Sequence, residues 1–430
     1  MNVASTRGGT AELPLAGALL GGTAPDGGLF VPAAFPWDEA QHPRGGSLAD
    51  SALAVLGPFF AGDPLERELP AMVAEAFTFP APMVPLRNRG DFVLELFHGP
   101  TAAFKDFGAR FLAACVRRLH PPNGGTRIVL VATSGDTGAA VAAAFHEVPG
   151  VRVVLLYPDG RVSPRQAHQL GAFGDNVTAL RVAGTFDDCQ AMVKTAFADP
   201  RLAPLRLTSA NSISLGRLLP QLAYHAHAAW SLGGTLNLVV PTGNLGNAVA
   251  AVWARELGAP IGSVVLATNA NQTLPEFFQG GAYRGRPSVP TLASAMDVGD
   301  PSNFERLAWT FPEPAVLRGR VRARAVSDEH ISRTIQQGLR RHGQVFCPHT
   351  AAGVWVLEQI RSAPGGKDGI WAVAATAHPA KFEGIIEPLV GHPVDVPPAL
   401  AELLARPSRA EPLAADPGAL RHWLLDHAGA

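Results

Sequence analysis

Lys105 lies in the stretch ELFHGPTAAFKDFGARFL (Glu95–Leu112), among apolar neighbours, where an extended segment gives way to a helix. A lysine at a helix start is ordinarily solvated. Held between Phe104 and Phe107, the same amine would lose part of its hydration, and its pKa would fall toward neutrality, as a nucleophile requires. Some 140 residues later comes VVPTGNLGNAVAAV (Val239–Val252). A strand ends there, and Gly243, Asn244, Leu245, Gly246 and Asn247 lead at once into a helix. Glycines permit the tight curvature that turns several N–H groups toward one anion, and a helix N-terminus adds about half a positive charge. The pattern is that of a phosphate cradle. No Gly-Lys-Ser/Thr follows, so it is not a nucleotide P-loop, and the spacing is not G-x-G-x-x-G. A plain strand-to-helix turn is the alternative.

Three other strand ends carry polar groups. In ATSGDTGAAVAAAF (Ala132–Phe145), Ser134, Gly135, Asp136 and Thr137 offer N–H groups and hydroxyls that suit a carboxylate. Helix capping by Ser134 or Asp136 is compatible with that role. In ATAHPAKFEG (Ala375–Gly384), Thr376 falls at the sheet edge. His378 reads first as a hydrogen-bonded turn residue, and Lys381 is left open. TSANSISLGRL (Thr208–Leu218) places Asn211, Ser212 and Ser214 at a helix start and Arg217 one turn in, as a fork for an anion or as a surface charge. YPDGRVSPRQ (Tyr157–Gln166) offers Arg161, Ser163 and Arg165 in a turn. One amine, one phosphate cradle and hydroxyl-bearing strand ends together suggest pyridoxal 5'-phosphate. That cofactor needs an amine for its Schiff base and a cradle for its phosphate.

The elements that position these residues alternate. DFVLELF, RIVLVAT, VRVVLLYP, NVTALRV, LNLVVPT, SVVLATN and WAVAAT read as strands, most of them continuously apolar, with helical patterns between them. Lys105–Leu119 is predicted as a helix, with Phe107, Phe111, Leu112, Cys115 and Leu119 on one face. The run from Ser212 to Trp230 is predicted as a helix kinked near Pro220. Apolar strands separated by helices imply parallel sheets covered on both faces. There are too many units for one compact sheet, so the expectation is α/β: two parallel-sheet domains with a cleft between them, plus an N-terminal segment. Gln279–Pro301 lacks periodicity and reads as a long loop of the functional kind. The tail after Val396 reads as peripheral.

Bulk properties narrow the function classes. The chain has 430 residues, 47% hydrophobic and 17% charged, with a formal net charge of -1. That balance is globular and gives no field favouring nucleic acid or an anionic membrane. No apolar run is long enough to span a bilayer, and the start has no secretory pattern. Cys115, Cys189 and Cys347 are scattered and odd in number, which suits reduced, buried thiols and offers no metal-binding spacing. The expected setting is cytoplasmic, with a small-molecule substrate and neither nucleic acid nor membrane as partner.

In order along nearly the whole chain, STRG, APDGGLFVP, ELFHGPTAAFKDFGARFL, ATSGDTGAAVAAAF, NSISLGRLLPQ, PTGNLGN and ATAHPAKF resemble the motifs of the threonine synthases, on the fold type II (tryptophan synthase β-like) pyridoxal phosphate scaffold. The block containing TAAFKDFG discriminates best within that scaffold. The resemblance implies an N-terminal family domain over 1–90 and a large cofactor-binding domain over 91–126 and 235–396. It also implies a small substrate domain over 127–234 and a tail over 397–430. By motif, Lys105 matches the Schiff-base lysine and proton shuttle, and Gly243, Asn244, Leu245, Gly246 and Asn247 the cofactor-phosphate loop. Thr376 matches the hydroxyl facing the ring nitrogen. Ser134, Gly135 and Thr137 match the substrate-carboxylate loop, and Asp136 stands near the ring hydroxyl where many relatives on the scaffold carry asparagine. Asn211, Arg217, Arg161 and Ser163 are the candidates for the substrate's phosphate. Departures are Leu245 for Phe, Ser214 for Asn, Ala102 for Leu, and NVAST without the usual aromatic; none removes a chemical group the reaction needs. The implied reaction is the conversion of O-phospho-L-homoserine and water to L-threonine and phosphate, in a monomer or homodimer. The alternatives are a phospho-lyase ending at a 2-oxo acid, a serine/threonine dehydratase, and a non-catalytic cofactor-binding protein.

Overall fold

The computed structural model describes residues 1–38, 43, 46–120, 125–365 and 368–427. Its strands are β1 (Asn2–Ser5), β2 (Leu13–Pro14), β3 (Phe30–Pro32), β4 (Met83–Pro85), β5 (Asp91–Glu95), β6 (Arg127–Ala132) and β7 (Val151–Pro158). They continue with β8 (Val177–Ala183), β9 (Leu236–Pro241), β10 (Ile261–Thr268), β11 (Val321–Ala325), β12 (Ile370–Ala375) and β13 (Glu411–Ala414). Three sheets result, ordered β2-β1-β3, β11-β10-β9-β12-β5-β4 and β13-β8-β7-β6. The six-stranded sheet is parallel except for β4, which runs antiparallel to β5 at one edge. The four-stranded sheet is parallel throughout.

The apolar runs explain this layering. Successive strand side chains face opposite ways, so a strand apolar at every position feeds two cores. In β9, Leu238 and Val240 enter one core while Val239 enters another. In β6, Val129 and Val131 pack on one side and Ile128 and Leu130 on the other. Both sheets are therefore covered by helices on each face. Their carboxyl ends are the places where connections carrying Thr133–Gly138, Thr242–Asn247 and Thr376 begin, as expected for ligand-binding α/β sheets.

The structure departs from the sequence expectation in four places. Pro220 breaks the predicted kinked helix into two, Leu215–Leu218 and Gln221–Ser231. The first ninety residues hold two substantial helices, Leu48–Phe60 and Leu69–Ala76. The former starts at a reciprocal capping box between Ser47 and Asp50. β11 and the helices Asp328–His342 and Pro348–Ser362 complete the large sheet's cover where no strand or helix was predicted. The tail is also more than peripheral. β13 extends the small sheet beside β8, and Leu420 and Leu424 of its last helix join that sheet's core. Residues 428–430 of that tail lie outside the described residues.

One buried cation ties these parts together. Arg306 is 0% exposed. Its Nε and Nη2 donate to the Phe30 carbonyl of β3 (3.0 and 2.9 Å), Nη2 to the Ile213 carbonyl (2.8 Å), and Nη1 to Asn303 Oδ1 (2.6 Å). Burial pulls its pKa down to about 9. Truncation would orphan three acceptors, each costing about 1–3 kcal/mol when buried without a partner. Arg306→Ala is therefore expected to lose about 3 kcal/mol or more of stability in chemical denaturation; a loss below about 1 kcal/mol would contradict this role.

Candidate active site

Lys105 is the first residue of helix Lys105–Leu119. The chain reaches it through a constrained turn. Ala102 sits at φ +55°, a strained conformation for a residue with a Cβ, and a Cβ on Gly99 would lie 2.5 Å from Asp106 Oδ2. Asp106 locks that turn by accepting from Thr101 N (2.9 Å) and Thr101 Oγ1 (2.7 Å). Asp106 is thus a structural residue, and its burial raises its pKa. The Lys105 ammonium lies 4.7 Å from the Phe104 ring centroid. Phe107 turns away into the core, against Phe77, Phe79 and Tyr224. Lys105 keeps some access to solvent, and among the described residues it has no hydrogen-bond or ion-pair partner. Desolvation, then the nearby Arg217 cation, push its pKa down to about 8; Asp136 opposes them.

The loop after β9 is built to leave its backbone donors free. Leu245 adopts φ +64° at the entrance to helix Gly246–Glu256. A Cβ on Gly243 would stand 2.8 Å from Met296 Cα, because the long loop predicted at Gln279–Pro301 packs against it. Asn244 is pinned by Ser212 Oγ (2.8 Å) and Ser302 N (2.6 Å), and Asn303 donates to its carbonyl (2.8 Å). Asn247 Oδ1 accepts from Tyr224 OH (2.9 Å) and His225 Nε2 (2.7 Å). Burial depresses the His225 pKa to about 4, so the ring is neutral and its one proton serves Asn247. Asn247 Nδ2, Asn211 Oδ1, Ser214 Oγ and Arg217 Nε are buried without protein partners. Buried polar atoms are seldom left without a partner, and among the described residues the three donors, Asn247 Nδ2, Ser214 Oγ and Arg217 Nε, are ones a bound anion would satisfy. With Lys105 as amine and this loop as cradle, the residues present fit pyridoxal phosphate.

The loop after β6 is arranged differently from the capping alternatives. Gly135, at φ +122°, takes the N-cap position of helix Asp136–Phe145. Thr133 Oγ1 performs the capping instead, accepting from Gly135 N (3.0 Å) and Gly138 N (2.8 Å). Ser134 and Thr137 stay half-buried, and among the described residues their hydroxyls have no hydrogen-bond partner. Thr376 is 7% exposed and likewise keeps its hydroxyl unpaired; its carbonyl accepts from Phe104 N (2.9 Å), tying the end of β12 to the turn before Lys105.

The candidates for the second anion divide. Arg217 is buried, donates through Nη1 to the Ala210 carbonyl, and is depressed by burial to about 10. Asn211 is half-buried, and its unpartnered atom is an amide oxygen, an acceptor and not an anion ligand. Ser163 is already committed: it caps helix Pro164–Gly171 and donates to the Lys381 carbonyl (2.6 Å). Arg161 is exposed in the turn after β7, with no hydrogen bond or ion pair to these residues. Arg217 lies within the electrostatic reach of Lys105, whereas Arg161 is exposed.

Three further residues matter here: sequence reasoning left Lys381 open and missed the other two. Lys381 is wholly buried beside Asp136. His349 is buried within the electrostatic reach of Lys105, Asp136 and Lys381. Desolvation holds His349 near 4, and its Nε2 accepts from Ala295 N (3.2 Å), so the ring is neutral with its proton on Nδ1. Arg306 is the third. A signal for Lys381 existed: the chain has only four lysines, Lys105, Lys194, Lys367 and Lys381. His378 Nδ1 caps a short turn by accepting from Ala380 N (3.2 Å). A cavity of about 940 Å³ beyond this turn is lined by Glu95, His98, Cys347, His378, His392 and Asp395 among others, and by none of the residues of the cofactor cradle.

Comparison with known proteins agrees with this geometry. Residues 77–375 match the family described as pyridoxal-phosphate dependent enzyme, residues 2–77 the threonine synthase N terminus, and residues 350–423 the C-terminal region of threonine synthase. The chain is 37% identical over 423 residues to threonine synthase of Serratia marcescens, covering 96% of each chain. The fold is similar to the crystal structure of threonine synthase from Escherichia coli (TM-score 0.90, 35% identity, 99% of this chain and 100% of that one). It is equally similar to the pyridoxal-phosphate-bound threonine synthase of Brucella melitensis (TM-score 0.90, 35% identity, all of both chains).

The cradle makes a direct prediction. Gly243→Ala drives a methyl group into the Met296 backbone, which is not free to retreat like a flexible side chain. Titration of the apoprotein with pyridoxal phosphate is expected to show at least about tenfold weaker binding, equivalent to about 1.4 kcal/mol; unchanged affinity would rule this loop out as the cradle.

Proposed function

The chain belongs to the threonine synthase family of pyridoxal-phosphate-dependent enzymes, and from that premise we propose that it converts O-phospho-L-homoserine and water to L-threonine and phosphate in the cytoplasm. The reading is supported by the Lys105 amine, which has no hydrogen-bond or ion-pair partner among the described residues, and by the buried donors Arg217 Nε, Ser214 Oγ and Asn247 Nδ2, which have none either. Among the described residues no helix is long and apolar enough to cross a membrane; Cys115, Cys189 and Cys347 are free and buried, which suits a reducing compartment.

When bound, pyridoxal phosphate supplies an electron sink for negative charge developed on the substrate's α-carbon. Lys105 supplies the base. With its pKa lowered by burial to about 8, far more of it is neutral at pH 7 than of an ordinary lysine. It accepts the α-proton and serves the later transfers at the β- and γ-carbons. Ser134, Gly135 and Thr137 hold the substrate carboxylate at the start of helix Asp136–Phe145, where the helix N-terminus favours an anion. Arg217 holds the phosphate that leaves, the guanidinium being suited to an oxyanion. Phe104, Ala102 and the Gln279–Pro301 loop limit water until the γ-carbon–oxygen bond has broken. The hydroxyl of one water then bonds the β-carbon, and protons returned to the carbon chain complete threonine. Thr376, a neutral hydroxyl, accompanies the cofactor's ring nitrogen without forcing a proton onto it.

Incubation of the holoenzyme with O-phospho-L-homoserine is expected to release threonine and phosphate in equal amounts. Phosphate accompanied by ammonia and a 2-oxo acid would contradict the proposal. The amine makes a pH prediction as well. Its folded pKa is lowered, so the neutral form grows as pH rises toward and through 8. The rate of cofactor capture by apoprotein should rise about tenfold per unit below pH 8 and level off above it. A profile still climbing beyond pH 10 would show a solvated lysine instead.

A further inference from the structure

Lys381 is 0% exposed, a rare state for a lysine, and its surroundings are specific. Its ammonium donates to the Thr101 carbonyl (2.7 Å), in the turn that aims Lys105, and lies 2.8 Å from Asp136 Oδ1. The same carboxylate oxygen accepts from Gln166 Nε2 (2.9 Å). The flanking backbone is fastened to the small domain too, since Ser163 Oγ donates to the Lys381 carbonyl and Arg165 Nη1 to the Ala380 carbonyl, both at 2.6 Å. This segment directly follows β12 and Thr376. Lys381 thus joins three parts of the site: the turn before Lys105, the carboxylate-loop helix and the strand end carrying Thr376.

Asp136 poses an electrostatic problem that its neighbours do not solve alone. A carboxylate beside an anionic cofactor repels it, and a lone buried anion is costly. An ammonium at 2.8 Å removes both difficulties and leaves a fixed dipole. The fields of the two groups reach Lys105 with opposite sign: Asp136 favours its ammonium and Lys381 disfavours it. Arg217, the neutral His349, the Cys347 thiol and His378 are further titratable groups that face this set, with Asp106 behind the turn.

We propose that Lys381 is a positioning residue of the active site, which acts through Asp136 by neutralising it in place and so sets the proton affinity of the cofactor joined to Lys105. The proposal rests on the pyridoxal phosphate reading of the site. That reading is checked separately by the visible absorbance band of wild-type holoenzyme, which Lys105→Ala abolishes.

The test is the pH midpoint of that band in wild type, Lys381→Met, Asp136→Asn and the double variant. Lys381→Met leaves an unbalanced anion and is expected to raise the midpoint by about one unit or more. Asp136→Asn leaves an unbalanced cation and is expected to lower it by a similar amount. In the double variant the two changes cancel, and the midpoint returns close to the wild-type value. If the unbalanced anion prevents Lys381→Met from folding, the double variant, which buries no charge, and Asp136→Asn still decide the matter. Thermal midpoints of the apoproteins report folding independently. Shifts of the same sign, shifts that fail to cancel, or midpoints unchanged while stability falls would reduce Lys381 to a structural residue and overturn the proposal.

Discussion

The loss of water around one primary amine governs the rest of this structure. Lys105 can act as a nucleophile and base near neutrality only where its charged form is disfavoured, and burial is the main cause of that here. The same dry site must accept anionic ligands, so the cations and dipoles that hold them have to be desolvated as well. Arg217 is buried, as are the structural Arg306 and the Asp136-paired Lys381, and each has carbonyl or carboxylate partners that limit the cost. His225 and His349 are held neutral by the same desolvation, which makes them dependable single donors or acceptors rather than extra charges.

The fold delivers this environment by bringing strand ends together. β6, β9 and β12 belong to two sheets, yet their connections carry the carboxylate loop, the phosphate loop and Thr376. Hydrogen bonds between these connections supply the precision. Thr376 meets the turn before Lys105 through the Phe104 N–H, Asn303 meets Asn244, and Lys381 meets both Thr101 and Asp136. The N-terminal sheet is linked through the Arg306 contact to Phe30, which connects a segment remote in sequence to the phosphate loop.

Much of this was legible in the sequence because its signals are local. Continuous apolar strands, the helix face after Lys105 and the glycine-flanked loop at Gly243–Asn247 each carry their pattern within a few residues. Pro220 announced a kink, and the structure turns it into a full break. What escaped depends on distant partners. Arg306 and Lys381 look like surface residues by type, and only tertiary packing shows them buried. Ser163 read as a ligand hydroxyl because its two partners, Gln166 N and the Lys381 carbonyl, cannot be inferred together from the string. β13 is short and carries a proline, so its pairing with β8 followed from its place at an edge rather than from its own pattern.

The account stands on which amine meets the cofactor, since two lysines, the half-buried Lys105 and the fully buried Lys381, lie close together. Reductive trapping of the holoenzyme with borohydride, followed by peptide mapping, reads this directly. The cofactor is expected on the peptide containing Lys105, with Lys381 unmodified. Attachment at Lys381 would contradict the assignment of the base and the arrangement of every group described around it.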